Sequence, residues 1–272
     1  MQNAQQALQQ AKDALAAAPR AGWDTQYGDK RYRDNDGNYV DGWQKVDGQW
    51  YYFNNQVLVT DQVMSVPSND EMQAGIYDFD SDGHYRTNYF AQSASDGNCY
   101  EFGYDGRAVS GLLYVNSNWY YFDPTYCYAL TGWQNVSGST YYFDLYNKSA
   151  DRDLSTIDGS TYYFDSFSGV QQSGLQTVNG NLYDFDGYNN AAQSGWQWVG
   201  GNQYYFNVTN YTAVSGLTTI DNELYYFDPN DQTADTGWQK LGSKWYYFDP
   251  SNAWATTGWK NLANKWYYFD LT

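Results

Sequence analysis

A 21-residue period governs most of this chain. Copies open at Gly111, Gly132, Asp153, Gly174, Gly195, Gly216, Gly237 and Gly258, each followed by Trp or Leu. Asp153 replaces Gly once, but Leu154 keeps the frame. Another clear copy opens at Gly42 and a degenerate one at Gly22. "IYDFD" (Ile76 to Asp80) and "CYEFG" (Cys99 to Gly103) mark two weak copies between Gly42 and Gly111. A unit this short cannot bury an apolar face by itself, so each copy must stack on its neighbours.

Each unit reads as a β-hairpin followed by a loop. Two residues separate the strands, as in Asp47-Gly48, Ser137-Gly138, Asp158-Gly159, Asn179-Gly180 and Gly200-Gly201. A type I′ turn demands such residues because both positions need positive φ. The second strand, "WYYFD" or a variant, is rich in strand formers. Asp-Pro at 123–124, 228–229 and 249–250 then breaks it.

Counting offsets from the opening residue, offset 9 is Tyr in all nine clear copies, from Tyr51 to Tyr267. Offset 11 is always Phe, from Phe53 to Phe269, and offset 4 is Val, Ile or Leu. A two-residue turn sets offset 4 against 7 and offset 2 against 9, and strand side chains alternate faces. Offsets 4, 9 and 11 therefore share the face expected to form the core. The predicted fold is all-β: a solenoid of stacked 21-residue hairpins with a short N-terminal helix. Three regions are expected: a helical or linker segment over 1–20, degenerate repeats with an irregular insertion or bend over 21–110, and regular repeats over 111–272.

Offsets 1, 3, 8 and 10 share the opposite face, where the copies differ. Aromatic residues ringed by polar groups there make a poor core and a good ligand surface. The candidate pockets are Trp43/Trp50 with Lys45 and Tyr52; Trp133/Tyr142 with Asn135; Trp196/Trp198 with Tyr205; Trp238/Trp245 with Lys240 and Tyr247; and Trp259/Trp266 with Asn261 and Tyr268. Gln44, Gln134, Gln197 and Gln239 are second-line contacts. The alternative is that Trp and Leu at offset 1 are satellite core beneath the loops.

Composition narrows the function. With 12 Trp, 31 Tyr and 13 Phe in 272 residues, the apolar content is mostly aromatic, and an aliphatic layered core is not expected. A net charge of −17 excludes nucleic acid and anionic membrane as partners and suits a cationic ligand. No apolar run is long enough for membrane insertion. Residues 1–19 carry no signal-peptide pattern and read as an Ala/Gln-rich helix from Asn3 to Ala17, stopped by Pro19. Leu8 and Leu15 sit seven apart. The abrupt start points to a fragment of a larger protein, and a monomer is expected. Cys99 and Cys127 form at most a single bridge; with His84 the only histidine, no zinc site is expected. Neither metal nor cofactor is anticipated.

Catalysis has little support. No nucleophile elbow or phosphate-cradling loop occurs. Asp123, Asp144, Asp165, Asp186, Asp228, Asp249 and Asp270 occupy one repeat offset, which marks them as turn residues. The run from Asp78 to Gly83 imitates the start of a calcium loop, but Tyr89 stands where a bidentate Glu is needed, so it reads as a turn.

The stretches "GWQKLGSKWYYFDPSNAWATTGW" and "GWQKVDGQWYYFN" resemble the cell-wall/glucan-binding repeats of Gram-positive surface proteins. The resemblance runs from Gly22 to Thr272. It implies an extracellular, cell-wall-associated, non-catalytic binding module. Choline-binding relatives build a cage from the Trp of "GW", the Trp of "WYY" and an aromatic or Met of the next copy. Both Trp coincide here only at Trp43/Trp50, Trp238/Trp245 and Trp259/Trp266. Ala129, Ala234 and Ala255 stand in the region of the Met, and Leu112, Leu154, Thr140 and Thr161 break other cages. The resemblance therefore leans toward the glucan-binding relatives and implies an α-glucan, dextran-like ligand. The alternatives are a choline- or teichoic-acid-binding anchor and a spacer without a small ligand.

Overall fold

The computed structural model describes residues 2–17 and 20–270. Pro19, expected to stop the helix, lies outside them. The helix spans Gln2–Ala17, and the rest of the described chain is nearly all hairpins. The chain divides into two compact units: Met1–Gly132 with Phe143–Ala150, and Trp133–Tyr142 with Asp151–Thr272.

The hairpin register follows the sequence period. In the Gly195 hairpin Gln197 faces Tyr204 and Val199 faces Asn202, which are offsets 2 against 9 and 4 against 7. Both turn residues have positive φ, as at Asp158 (49°) and Gly159 (82°). The opening residue is also left-handed: Gly195 has φ 74° and Asp153 has φ 61°. Asp tolerates this region better than most non-glycine residues, which explains why Asp153 substitutes without loss of frame.

The loop after each hairpin is held from within. The Asp186 carboxylate accepts backbone N–H groups from Tyr188 (2.7 Å) and Asn189 (2.9 Å), and Asp144 does the same for Tyr146 and Asn147. The repeated Asp residues are thus turn caps. Each loop also ties its hairpin to the preceding one. The N–H at offset 18 donates to the carbonyl at offset 8 of that hairpin: Ala192 to Thr161 (2.8 Å), Ala234 to Gln203 (2.8 Å), Ala255 to Leu224 (2.7 Å).

Core packing uses offsets 9 and 11 as expected, but it also uses the opposite face. Phe53, Phe143, Phe185 and Phe227 are fully buried. Phe185 lies between its own Tyr183 and Tyr163 of the preceding hairpin, with centroids 6.0 Å away in both cases. Burying one such Phe stabilises by about 2–3 kcal/mol. Trp at offset 1 packs on the next hairpin: Trp196 meets Tyr225 edge-on at 4.8 Å and lies tilted 5.7 Å from Phe227. Offsets 1 and 10 therefore also serve the stack, and the open surface lies mainly at offsets 3 and 8 near the turns with the outer edges of some offset-1 rings. The expectation of one core face and one ligand face is corrected to this extent, because each hairpin covers its predecessor's second face.

Three repeats break the offset-10 Tyr with a carboxylate. Asp78 is buried and accepts a 2.9 Å bond from Arg86 Nη1. Asp184 is buried, and burial followed by the nearby Asp186 charge pushes its carboxyl above the usual range. Burial likewise raises the Glu101 carboxyl, whose Oε2 is buried without a hydrogen-bond partner.

Between Gly42 and Gly111 the period fails because hairpin turns lengthen. Gln62–Val66 pairs with Gly75–Phe79 across residues 67–74, and Tyr89–Gln92 pairs with Cys99–Phe102 across residues 93–98. The calcium-like run is one of the turns: Asp80 Oδ1 accepts N–H groups of Asp82 and His84, both at 2.9 Å. Cys99 and Cys127 are free thiols, and burial raises both.

Candidate functional site

The Gly42 hairpin assembles the fullest aromatic cluster. Trp43 and Trp50 lie on one face, and the antiparallel register sets Lys45 opposite Trp50. The Trp50 ring stands perpendicular to Trp43 (88°, centroids 6.4 Å), and so does Tyr85 (87°, 6.1 Å). Tyr77 closes beneath, 5.0 Å from Trp43, and its burial pushes the phenol up to about 12. Trp43 is buried, and its indole N–H donates to the Pro67 carbonyl (2.9 Å) at the start of the lengthened turn. The same turn supplies Asp70 and Glu71 to a cleft shared with Trp43, Lys45 and Trp50. Trp50 and Tyr85 also line a neighbouring cleft with His84 and Thr87. The Lys45 ammonium lies 5.4 Å from the Trp50 ring centre and 3.7 Å from Glu71. Perpendicular aromatic walls with carboxylates at the rim attract a cation without needing a hydrogen bond from it.

Tyr85 is the residue that the repeat pattern did not bring into any pocket. It bridges Phe79 as Ala129 bridges Phe122 and Ala234 bridges Phe227, so it takes the bridging place that offset 18 holds in the regular copies, one residue nearer its Phe. Its signal was the run "DFDSDGHY", where the distance from the Phe column to the bridging residue stays recognisable although the period has failed.

The other candidates assemble in part. Trp238 repeats the Trp43 arrangement, with Trp245 at 6.1 Å and 84° and Tyr267 at 4.9 Å. Trp133 packs on Tyr142, Tyr162 and Phe164, and Trp196 on Tyr205, Tyr225 and Phe227. Thr140 and Gln203 stand at offset 8 there, so these two lack the second Trp wall. Tyr52 is buried, while Tyr142, Tyr205 and Tyr247 are half-buried stacking residues. The solvent-facing candidates are Lys45, Asn135, Lys240 and Asn261 with Trp198, Trp245, Trp259, Trp266 and Tyr268, and Trp133 and Trp238 are exposed along one edge. Trp196 and Trp198 stand two positions apart on one strand and share a face, but only Trp198 is exposed.

Comparison with known proteins fits this geometry. A family described as a choline-binding repeat matches residues 214–256. A second, described as a putative cell wall binding repeat, matches 41–56, 110–125, 131–144, 194–208 and 257–270. These matched stretches are similar to choline-binding and cell wall binding repeats. Its fold is similar to that of CbpJ from Streptococcus pneumoniae TIGR4, with TM-score 0.58 and 22% identity over 89% of this chain and 97% of that one. It is similar to choline binding protein F from Streptococcus pneumoniae, with TM-score 0.55 and 23% identity over 88% and 93%. The modular autolysin LytC of the same organism gives TM-score 0.58 at 19% identity, over 88% of this chain and 53% of LytC. Among curated proteins none matches this chain. No helix among the described residues is long and apolar enough to cross a membrane.

Proposed function

We propose that this chain is a non-catalytic, extracellular module that holds a cell-wall polymer through quaternary ammonium groups of the choline type. Hairpins stacked as a solenoid within each unit present the sites. The observation that carries the reading is Trp50 and Tyr85 standing perpendicular to Trp43, with Trp50 shared by two adjoining clefts, one holding Trp43 and Glu71 and the other Tyr85 and His84. The matching choline-binding repeat at 214–256 and the net charge of −17 support the same ligand class. This departs from the expected α-glucan ligand, which rested on the absent Met, on both Trp coinciding in only three copies and on the Leu and Thr that break other cages; Tyr85 offers a third ring at the first of those copies.

Calorimetric titration of the full chain with choline chloride tests the reading. Trp50→Ala or Tyr85→Ala is expected to weaken binding at this cage at least tenfold, since a desolvated cation–π contact contributes about 2 kcal/mol. Unchanged binding by both variants would refute it.

A second reading, α-glucan binding, is favoured by the open rings of Trp259 and Trp266 beside Asn261. Each offers a flat face with a hydrogen-bonding neighbour and no opposing wall. Retardation in dextran-containing gels, unaffected by excess choline, would support it.

A further inference from the structure

The chain holds one histidine, and the fold sets it beside two of the rings proposed to hold a cation. His84 precedes Tyr85 in the loop after the hairpin of Gln62–Val66 and Gly75–Phe79. Its carbonyl accepts from the Asp80 N–H at 2.9 Å. The copies opening at Gly111 through Gly237 close their loops with the same bond, from Asp123 to Tyr128 and finally from Asp249 to Trp254, and put an uncharged side chain at this place. Only here does the loop carry an imidazole.

That imidazole is engaged on both sides. Its Nε2 lies 2.9 Å from the Tyr51 hydroxyl, and its Nδ1 lies 3.7 Å from Asp80 Oδ1. Tyr51 comes from Gln49–Asn54, the strand that also carries Trp50. Burial, then the charges of Asp47, Asp82 and Asp80, pushes the Tyr51 phenol above its usual range. It therefore serves His84 in either state, donating to a bare Nε2 and accepting from a protonated one. The imidazole is 40% exposed, so protons reach it from solvent. Together with Trp50, Tyr85 and Thr87 it lines one cleft.

The charges around it are few. Asp80 and Asp82 belong to its own turn, and Asp47 stands at the tip of the Gly42 hairpin. Arg86 is taken by Asp78 at 2.9 Å. Trp23, packed on Tyr51, carries Lys30 over its own ring, and Lys45 and Glu71 line the adjoining cleft. Histidine is the side-chain type that changes charge between pH 5 and 8. A neutral His84 leaves the Asp80 charge uncompensated, which favours a cation on the neighbouring rings. A protonated His84 cancels it. One unit of charge about 6 Å from a bound ammonium changes Kd about three- to tenfold, between a water-like dielectric and half of it. Linkage makes the coupling reciprocal: a bound cation must oppose protonation of His84 by the same factor.

We infer that His84 makes cation binding at the Trp50 and Tyr85 rings proton-linked: the site holds a choline-type ammonium more tightly while His84 is neutral and releases it as the imidazole takes up a proton. This rests on the choline reading above and adds to it a condition for release, mild acid.

Proton NMR on the full chain tests the linkage, because a single histidine gives one unambiguous imidazole Cε1–H signal. The signal is followed from about pH 5 to about pH 8 at low ionic strength, with and without choline chloride at a concentration that calorimetry at pH 8 shows to be saturating. Choline is expected to lower the titration midpoint by about half to one pH unit, the same three- to tenfold factor. The neutral isostere 3,3-dimethyl-1-butanol should leave the midpoint in place. Trp50→Ala, its fold checked by circular dichroism, should lose the choline effect. Choline that binds by calorimetry yet leaves the midpoint unmoved overturns the inference while the choline reading stands. A shift of equal size with the neutral isostere, or one that survives in Trp50→Ala, overturns it too. Absence of calorimetric choline binding at pH 8 overturns the choline reading and this inference with it.

Discussion

Lys45 places the protein's own ammonium where a ligand ammonium would bind. It sits 5.4 Å from the Trp50 ring centre and is paired at 3.7 Å with Glu71. A choline seated on the same ring would lie roughly 6 Å from that charge. Coulomb repulsion at that distance is about 0.7 kcal/mol in a water-like dielectric and about twice that at half the dielectric constant. Both Lys45 and Glu71 are at least half exposed, so physiological salt, with a screening length of about 8 Å, removes roughly half of it. Lys45→Met keeps the aliphatic stem and deletes the charge, and it leaves Glu71 free to pair with the ligand. The net expected gain is about 0.5–1 kcal/mol, a two- to fivefold tighter Kd for choline.

Calorimetric titration at low and at high salt measures the effect. The gain should shrink toward nothing at about 1 M salt, where the screening length is about 3 Å. The neutral isostere 3,3-dimethyl-1-butanol serves as control, since it fills the same volume without charge and should bind both forms alike. Equal or weaker choline binding by Lys45→Met at low salt would refute the reasoning. So would an equal gain for the neutral isostere, because the cause would then be steric.

Other consequences concern the stack. Asp184→Tyr restores the ring that other repeats place on the next Phe and removes a buried carboxylate; it should stabilise by about 1–2 kcal/mol, read as a higher denaturant midpoint. Because burial raises the folded-state Asp184 carboxyl above its unfolded value, its ionised form destabilises the fold at neutral pH, and that penalty fades as pH falls through the folded value. Asp184→Asn should therefore be more stable than the parent at pH 7 and lose that advantage below about pH 4, by urea unfolding across pH. Arg86→Ala leaves the buried Asp78 carboxylate unpaired and should cost about 2–3 kcal/mol in the same assay. Phe185→Ala opens a cavity at the centre of a stack and should cost about 3–5 kcal/mol. Without reductant, two thiols per chain should react with a thiol reagent after unfolding, since Cys99 and Cys127 are both free.

The repeat period made the hairpins, their register and the Phe column readable, because each follows from local geometry: a two-residue turn fixes which offsets face each other, and strand alternation fixes which share a face. What the period could not carry was the covering of one hairpin by the next. Trp43 and Tyr52 fell on the face opposite the core by parity, yet both are buried, since stacking uses both faces of a hairpin whose loop docks on its predecessor. Tyr85 was invisible for a different reason. The turn of residues 67–74 pushes it out of frame, although its bridge to Phe79 is the one that Ala makes elsewhere. The same insertion supplies Glu71 and the Pro67 carbonyl, so the least regular stretch of sequence builds the most complete cage.

That coincidence has a physical basis. A regular repeat can change only at positions the stack does not use, which leaves offsets 3 and 8 for ligand contacts. Trp198 is a change of that kind, a single substitution on an unaltered hairpin. A third wall is harder to add, because offset 18 lies where the loop docks: Ala129 and Ala150 are buried there, and a large side chain must displace its neighbours. Around Tyr85 the longer turn makes room, and the ring packs between Trp43 and Tyr77 without disturbing the Phe79 bridge. Cages should therefore arise where the period breaks and flat platforms where it holds. The cluster at Trp43 and the exposed ring of Trp198 follow that division.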